Sequence, residues 1–276
     1  MKCFYRKLWL AIFVLLTQTA SLFAQVVWDS LDTGLSLAEI HSPVTSEYGT
    51  NIITILKIDP VQYEFVMVNA SAEDSVKRTV VGWCKQKNLL GAVNGGMFRL
   101  TDNLTNTGFM RNFNHVNNSA LSAANYKLVL ALNPKNNTVP LMQIIDLECE
   151  DWNKLKIQYN TYAQGLRVIN CRSEVAWRKS IKKWSMVLWG IDGEGNALWI
   201  FTRSPLEVEV FAGLLLKLNI GIKRVMYLEG GPEGSLFLNH PNKKLLLMGS
   251  YETGFNENDH NEVFWDVPNV IGIRKR

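Results

Sequence analysis

The chain has 276 residues, 47% apolar and 20% charged, an ordinary globular composition that excludes low complexity and wholesale disorder. Its formal charge is +4, but Lys2, Arg6 and Lys7 fall in a leader-like segment without an acidic residue, which leaves 4 − 3, about +1, for the rest. A chain that close to neutral has no global field for gathering nucleic acid or an acidic membrane surface.

The chain opens with those three cations, then the apolar stretch Leu8–Leu16, then TQTASLFA ending at Ala24. This pattern reads as a secretory signal peptide over 1–24, and its apolar stretch is shorter than the ~20 residues that span a bilayer. The reading predicts an exported protein, periplasmic or secreted, with no membrane anchor once the leader is cut. Residues 25–276 then form one domain, with its core over about 50–274. Cys84, Cys149 and Cys171 remain, enough for one internal disulfide at most; buried small hydrophobes are the competing reading. His41, His115, His240 and His260 are scattered without metal-ligand spacing.

Residues 25–50 read as a lead-in with one strand. Ile52–Ile58 and Tyr63–Val68 are β-rich runs around Asp59-Pro60. Ser71-Ala72-Glu73-Asp74 has the form of a capping box opening a helix with Val76, Val80, Val81 and Cys84 on its apolar face. Leu89–Val93 is a short buried strand that breaks at Asn94-Gly95-Gly96. Thr101–Asn125 carries seven Asn and little apolar periodicity, which predicts a long surface loop. Lys127–Leu132, Leu141–Ile145 and Arg167–Ile169 are strands, and Trp152–Asn160 is ambiguous. Ser185–Ile191 and Ala197–Thr202 form a hairpin over Asp192–Asn196. Ser204-Pro205-Leu206-Glu207 is a second capping box, before a helix burying Val208, Phe211, Leu215 and Leu218. Arg224–Leu228 is a buried strand ending at Glu229-Gly230-Gly231, and Val270–Ile273 is the last strand.

Strand, capping box, helix, strand and Gly-Gly thus occur twice, from Tyr63 to Gly96 and from Ala197 to Gly231. Two βαβ units follow, each with parallel strands, and the fold class is α+β: mixed β-sheets with helices packed outside. The topology puts Ser185, Arg203 and Glu229 at one sheet edge and Asp192 at the other.

The candidate chemistry gathers at these breaks. Asn94, Gly95 and Gly96 offer close backbone approach and an anion-binding nest, or simply a tight turn. Glu229 follows an apolar strand, where partial desolvation raises a carboxyl pKa and suits acid or base work; Gly230, Gly231, Glu233 and Ser235 lie within reach. Arg167 and Arg203, at strand ends, suit bidentate phosphate binding or a surface ion pair. Asp192, in Asp-Gly, reads first as a turn residue and second as a candidate catalytic carboxylate. Arg178, Lys179, Lys182 and Lys183, between Trp177 and Trp184, read as a phosphate- or sugar-binding run or a solvated face. No cofactor motif is present. Asp192, Glu194 and Glu233 are the candidate ligands for a divalent cation, without a complete ligand pattern.

AVNGGMF (92–98) together with YLEGGPEGSLFL (227–238) makes the chain resemble the phosphodiester glycosidase family over roughly residues 50–274. The A-x-N-G-G-x-F motif falls on Ala92–Phe98, the Q…L-V segment on Gln164–Ile169, and L-D-G-G-G-S on Leu228–Ser235. The chain departs by placing Glu229 where the family has Asp, by inserting Pro232-Glu233-Gly234, by Trp184-Ser185 in place of Arg-Thr, and by Gly165-Leu166-Arg167 in place of Gly-Pro. The resemblance implies hydrolysis of a sugar C1–O–P linkage in a carbohydrate phosphodiester, such as an N-acetylglucosamine 1-phosphodiester. Because the phosphate monoester leaves readily, the site needs phosphate-binding groups and one carboxylate facing an oxocarbenium-like centre. Under the resemblance Glu229 takes that role, Arg167 and Arg203 hold phosphate, and the Asn-rich loop meets sugar hydroxyls. A glycan-binding protein without catalysis, to which nine tryptophans would lend stacking surfaces, and a hydrolase of another glycan linkage are the alternatives.

Overall fold

The computed structural model describes residues 26–122 and 126–276, so the signal-peptide reading of 1–24 lies outside the described residues. In chain order the elements are β1 (Asp29–Asp32), β2 (Leu35–His41), β3 (Ile52–Ile58), β4 (Tyr63–Asn69), α1 (Val80–Lys87), β5 (Gly91–Asn94), β6 (Met110–Asn112), β7 (His115–Asn118), β8 (Leu128–Pro134), β9 (Met142–Asp146), α2 (Trp152–Leu155), β10 (Tyr159–Ile169), β11 (Trp184–Asp192), β12 (Ala197–Leu206), α3 (Val208–Lys217), β13 (Ile222–Gly230), β14 (Ser235–His240), β15 (Lys243–Met248) and β16 (Asn269–Lys275). The balance is richer in sheet than the α+β expectation, with three α-helices among the described residues. The lead-in holds two strands rather than one.

An eleven-stranded sheet has the order β1-β2-β3-β12-β11-β13-β10-β6-β7, with β8 on β10 and β9 on β8; a second sheet runs β15-β14-β5-β16-β4. Period-2 alternation sorts the strand residues onto two faces. Leu56, Trp189, Trp199, Phe65, Val93, Leu236 and Ile271 meet between the sheets. Ile53, Leu188, Leu198 and Val225 turn the other way and pack under Phe211 and Leu215 of α3. Val68, Ala92 and Val270 face outward from the smaller sheet and pack under Val80, Trp83 and Cys84 of α1. The result is helix, sheet, sheet, helix.

Both predicted strand–helix–strand units are present, with one difference. In each, another strand lies between the two parallel ones. β16 pairs antiparallel with both β4 and β5, and β11 pairs antiparallel with both β12 and β13. Every neighbouring pair is therefore antiparallel, and the parallel relation is between next-nearest strands.

Neither capping box caps a helix. α1 starts eight or nine residues later than the first box predicts, with the Thr79 side chain accepting from the Gly82 N–H at 3.0 Å. Ser71 instead meets His115 Nε2 at 2.9 Å and accepts from Asn117 Nδ2 at 2.8 Å. β12 continues through Leu206, Glu207 precedes α3, and Ser204 Oγ accepts from the Asn51 N–H at 2.7 Å. The apolar face predicted for α3 is the one buried. Cys149 and Cys171 form a disulfide; Cys84 is free and buried, and burial pushes its thiol up to about 12, so it is chemically quiet.

Candidate active site

β13 delivers Glu229. It pairs with β11 through Tyr227↔Leu188, Glu229↔Val187 and Gly230↔Met186, so Leu228 is the extra residue of a bulge. Bulges re-aim side chains. Here Leu228 turns into the core between the sheets, while Tyr227 belongs to the cluster on the α3 side. On that side a cavity of about 200 Å³ is lined by Tyr227, Glu229 and Gly230, with Met97, Leu166, Trp177, Trp184 and Glu252. The Trp177 and Tyr227 rings lie 5.6 Å apart.

Glu229 is 9% exposed. Its carboxyl accepts one hydrogen bond, from the adjacent Gly230 N–H at 3.1 Å. Burial pushes its pKa well above the usual carboxylate range, and the charges of Glu233 and, more weakly, Glu252 push the same way against that hydrogen bond. Glu233 is also raised, first by burial and then by Glu252. The Tyr227 hydroxyl is raised by burial and by the same three carboxylates. Three acids and a phenol thus share one electrostatic neighbourhood. Glu233 itself lines an adjoining hollow of about 470 Å³ with Lys77, Phe98, Asn103 and Trp265.

The glycines and Asn94 build the walls. Asn94 Nδ2 donates to the Glu233 carbonyl at 2.9 Å and Asn94 Oδ1 accepts from the Ser235 N–H at 2.7 Å. Ser235 Oγ donates to the same Glu233 carbonyl at 2.9 Å. Asn94 and Ser235 therefore hold the loop carrying Glu233. Gly95 donates its N–H to the Asn269 carbonyl at 2.8 Å. Gly231 has φ +63°, and a Cβ there would stand 2.6 Å from Glu252 Oε2, so this glycine admits the third acid. Gly96, at φ +136°, lies against Asn106 in the same way.

Several expected site residues lie elsewhere. Asp192 is 6% exposed and spent in its turn: Oδ1 accepts from the Glu194 and Asn196 N–H groups, each at 2.9 Å, and Oδ2 from Asn196 Nδ2 at 2.9 Å. It pairs with Ile222, five residues along β11 from Val187, the partner of Glu229; at ~3.3 Å per residue that is roughly 16 Å. Arg167 binds Asp146 at 3.1 Å and Glu148 at 2.6 Å. Arg203 binds Asp259 at 2.7 Å and donates to the carbonyls of Met248, Asp259 and Asn261. Both guanidinium groups are committed to ion pairs, and neither lines the cavity. The charges of both are met by partners distant in sequence. Arg203 instead fastens the segment that follows β15, and Glu252 rides on that segment.

The described part of the Asn-rich stretch, 101–122, is mostly exposed or half-buried turn, as expected of a surface loop, but it is not wholly irregular. It contains β6 and β7, and Asn106 and Asn118 are buried. Gln164 Nε2 donates to the Ser122 and Tyr126 carbonyls, and its Oε1 accepts from the Phe109 and Ser122 N–H groups. A buried glutamine with all these partners binds the stretch to the sheet.

Glu252, Tyr227, Met97 and Leu166 escaped the sequence reading. Tyr227 was within reach of it, since a residue two before Glu229 on a strand shares its face. Glu252 sits in a loop with no local signal. Ser185 places it: Ser185 Oγ accepts from the Ser250 and Tyr251 N–H groups at 3.0 and 3.1 Å, and Trp184 bridges Glu252. Among the described residues one group of metal-ligand type, Asp146 with Cys149 and Cys171, has its donor atoms together, and its two sulfurs are in the disulfide. No helix among the described residues is long and apolar enough to cross a membrane.

These features define a two-sheet β protein with an acidic, tryptophan-walled cavity at one sheet edge. The phosphodiester glycosidase family profile matches residues 87–274, well over half of the chain, and the chain belongs to that family. Among solved structures it is similar to the catalytic domain of zebrafish N-acetylglucosamine-1-phosphodiester alpha-N-acetylglucosaminidase, auto-inhibited by its pro-peptide: TM-score 0.61, 13% identity, covering 92% of this chain and 87% of that one. It is also similar to a hypothetical protein from Synechocystis, with TM-score 0.63 and 12% identity over 92% of this chain; it spans only 64% of that protein. A protein of Burkholderia pseudomallei is similar at TM-score 0.50 and 9% identity, over 80% of this chain and 73% of that one. No curated protein matches in sequence.

Proposed function

We propose that the chain is an exported phosphodiester glycosidase that hydrolyses a sugar C1–O–P linkage, with Glu229 as the reacting carboxyl. The observation that carries this reading is the setting of Glu229: nearly buried, with one hydrogen bond, in the wall of a cavity edged by Trp177, Trp184 and Tyr227. Indole and phenol faces suit the apolar faces of a sugar ring. A carboxyl whose proton affinity is raised by burial and like charge is suited to proton transfer, as acid toward the leaving oxygen or base toward water, rather than to permanent ionisation. In the overall reaction water adds at C1, the C1–O bond breaks, and its electron pair leaves with the phosphate monoester. Asn94, Gly95, Gly96, Gly230, Gly231, Glu233 and Ser235 support the cavity rather than react.

The test is incubation of the protein from Gln25 onward with N-acetylglucosamine-1-phospho-6-mannoside and a panel of sugar 1-phosphodiesters in ¹⁸O water, read by mass spectrometry. Free sugar carrying the label at C1, with unlabelled phosphomonoester, is the expected result. Glu229→Gln should lose roughly 10²–10⁴-fold in rate. A fully active Glu229→Gln would remove Glu229 from the chemistry. Label in the phosphate would make the protein a phosphodiesterase, and binding without turnover a lectin.

A further inference from the structure

The cavity that takes the substrate in this reading has no cation. Its polar lining includes two carboxyls, Glu229 and Glu252, and Glu233 acts on Glu229 from beside it. A phosphodiester is an anion, and moving it next to carboxylates without a compensating charge is costly. Arg167 and Arg203 are held by Asp146, Glu148 and Asp259. Lys77 lines the adjoining hollow with Glu233 and not the cavity, so a cation at the cavity mouth comes from a segment that joins the cavity walls.

One segment does. Trp177 and Trp184 are both cavity walls, and the six residues between them contain Arg178, Lys179, Lys182 and Lys183 and no acid. All four cations are exposed, and among the described residues none is in an ion pair. The loop is fixed at both ends. Trp177 packs on Tyr227. Lys183 donates its N–H to Thr253 Oγ1 at 2.9 Å, Thr253 donates its N–H to the Lys183 carbonyl at 3.1 Å, and Trp184 bridges Glu252. The cavity's size points the same way. At about 200 Å³ it is below the ~300 Å³ lower end for pockets that enclose a drug-sized ligand. It has room for one sugar ring, so whatever is joined to that sugar leaves across the rim.

We infer that loop 178–183 is the anion-recognition rim of the cavity: the sugar enters between Trp177 and Trp184, and the loop's four cations hold the phosphate that follows it. The inference rests on the proposed phosphodiester reading. It divides recognition between an uncharged, aromatic interior and a cationic edge, and it makes the preferred ligand a sugar with its negative charge directly outside C1.

Trp177 and Trp184 supply the signal, because ligand entry changes indole fluorescence. In the Glu229→Gln background, which halts turnover, binding of N-acetylglucosamine 1-methylphosphate is compared with that of uncharged methyl N-acetylglucosaminide at several salt concentrations. The diester should bind more tightly, and its affinity should fall as salt rises. Replacing Arg178, Lys179, Lys182 and Lys183 with Gln should weaken diester binding by roughly tenfold or more and flatten its salt dependence, as expected for several exposed charge contacts of modest individual strength. An Arg178→Lys variant, which keeps the charge count, should retain most of the affinity. The paired variants Arg178→Gln/Lys179→Gln and Lys182→Gln/Lys183→Gln give the same reading if the fourfold one does not fold. A diester preference that survives neutralisation of the loop overturns this inference alone. Equal affinity for diester and neutral glycoside in the unsubstituted loop overturns the phosphodiester reading, and the inference with it.

Discussion

Val93–Gly96 and Leu228–Gly231 are the ends of the same device built twice: a strand, a helix on the outside, and a parallel strand two places away that stops at a polar residue and Gly-Gly. The first ends in Asn94, whose amide uses its oxygen on the Ser235 N–H and its nitrogen on the Glu233 carbonyl. The second ends in Glu229, whose carboxyl has only its neighbour's N–H. Both residues are buried. A buried amide with partners is a fastener; a buried carboxyl without them is a strained group held in place by the fold around it. The contrast assigns structure to the first end and reactivity to the second, and the first end holds the loop that carries Glu233 past the second.

The sharpest way to break that contrast is Asn94→Ala. It strands the buried Ser235 N–H and leaves the Glu233 carbonyl with Ser235 Oγ alone, which costs about 1–3 kcal/mol in all, and thermal unfolding should fall by on the order of 3–10 °C. Because the Glu233 loop loosens, turnover should fall as well, through kcat rather than KM. Unchanged stability in Asn94→Ala would mean that the two ends do not divide the work in this way.

Asp192 extends the comparison to the far end of β11. It is as buried as Glu229, yet its oxygens accept three hydrogen bonds from Glu194 and Asn196. Satisfaction rather than burial should decide which carboxylate matters for turnover. Asp192→Ala should cost about 1 kcal/mol in chemical denaturation and leave kcat/KM where it was. A large loss of activity in that variant, with the fold intact, would erase the distinction.

The same contrast explains what the sequence could disclose. Glu229 was legible because its cause is local: an apolar strand that ends in a carboxyl desolvates it wherever the rest of the chain goes. The face of α3 was legible for the same reason, as periodicity is local. The insertion of β16 between β4 and β5 was not, because a strand from the C-terminus supplies it. Arg167 and Arg203 look free in sequence because Asp146, Glu148 and Asp259 lie 19 or more positions away. The two capping boxes misled because their serines found tertiary partners, His115 and Asn117 for Ser71 and Asn51 for Ser204. Glu252 had no local mark at all; Ser185 and Gly231 bring it in from a loop.

The smallest effect is the one that reads Glu229's protonation directly. Its folded pKa lies above the ordinary value of 4.5, mainly through burial and then through Glu233. The neutral carboxyl is therefore the form the fold favours. That contribution to stability is fully present below the unfolded pKa and is lost as pH rises through the folded one, at ~1.4 kcal/mol for every pH unit that separates the two. Glu229→Gln cannot ionise and escapes this loss. The variant and the parent should melt together near pH 4, and the variant should become the more stable as pH rises, a gap that differential scanning fluorimetry across pH would show. Glu233→Gln removes the larger of the two neighbouring charges, so in that background Glu229 should ionise at lower pH. The gap between the Glu233→Gln protein and its Glu229→Gln double variant should then open at the same pH, stop growing at lower pH and reach a smaller value. The activity limb governed by Glu229 should move toward acid in step with it. If the melting gap stays flat from pH 4 to pH 9, the fold does not raise the pKa of Glu229. Glu229 would then be a satisfied carboxylate like Asp192, and the difference between the two Gly-Gly ends would be one of shape alone.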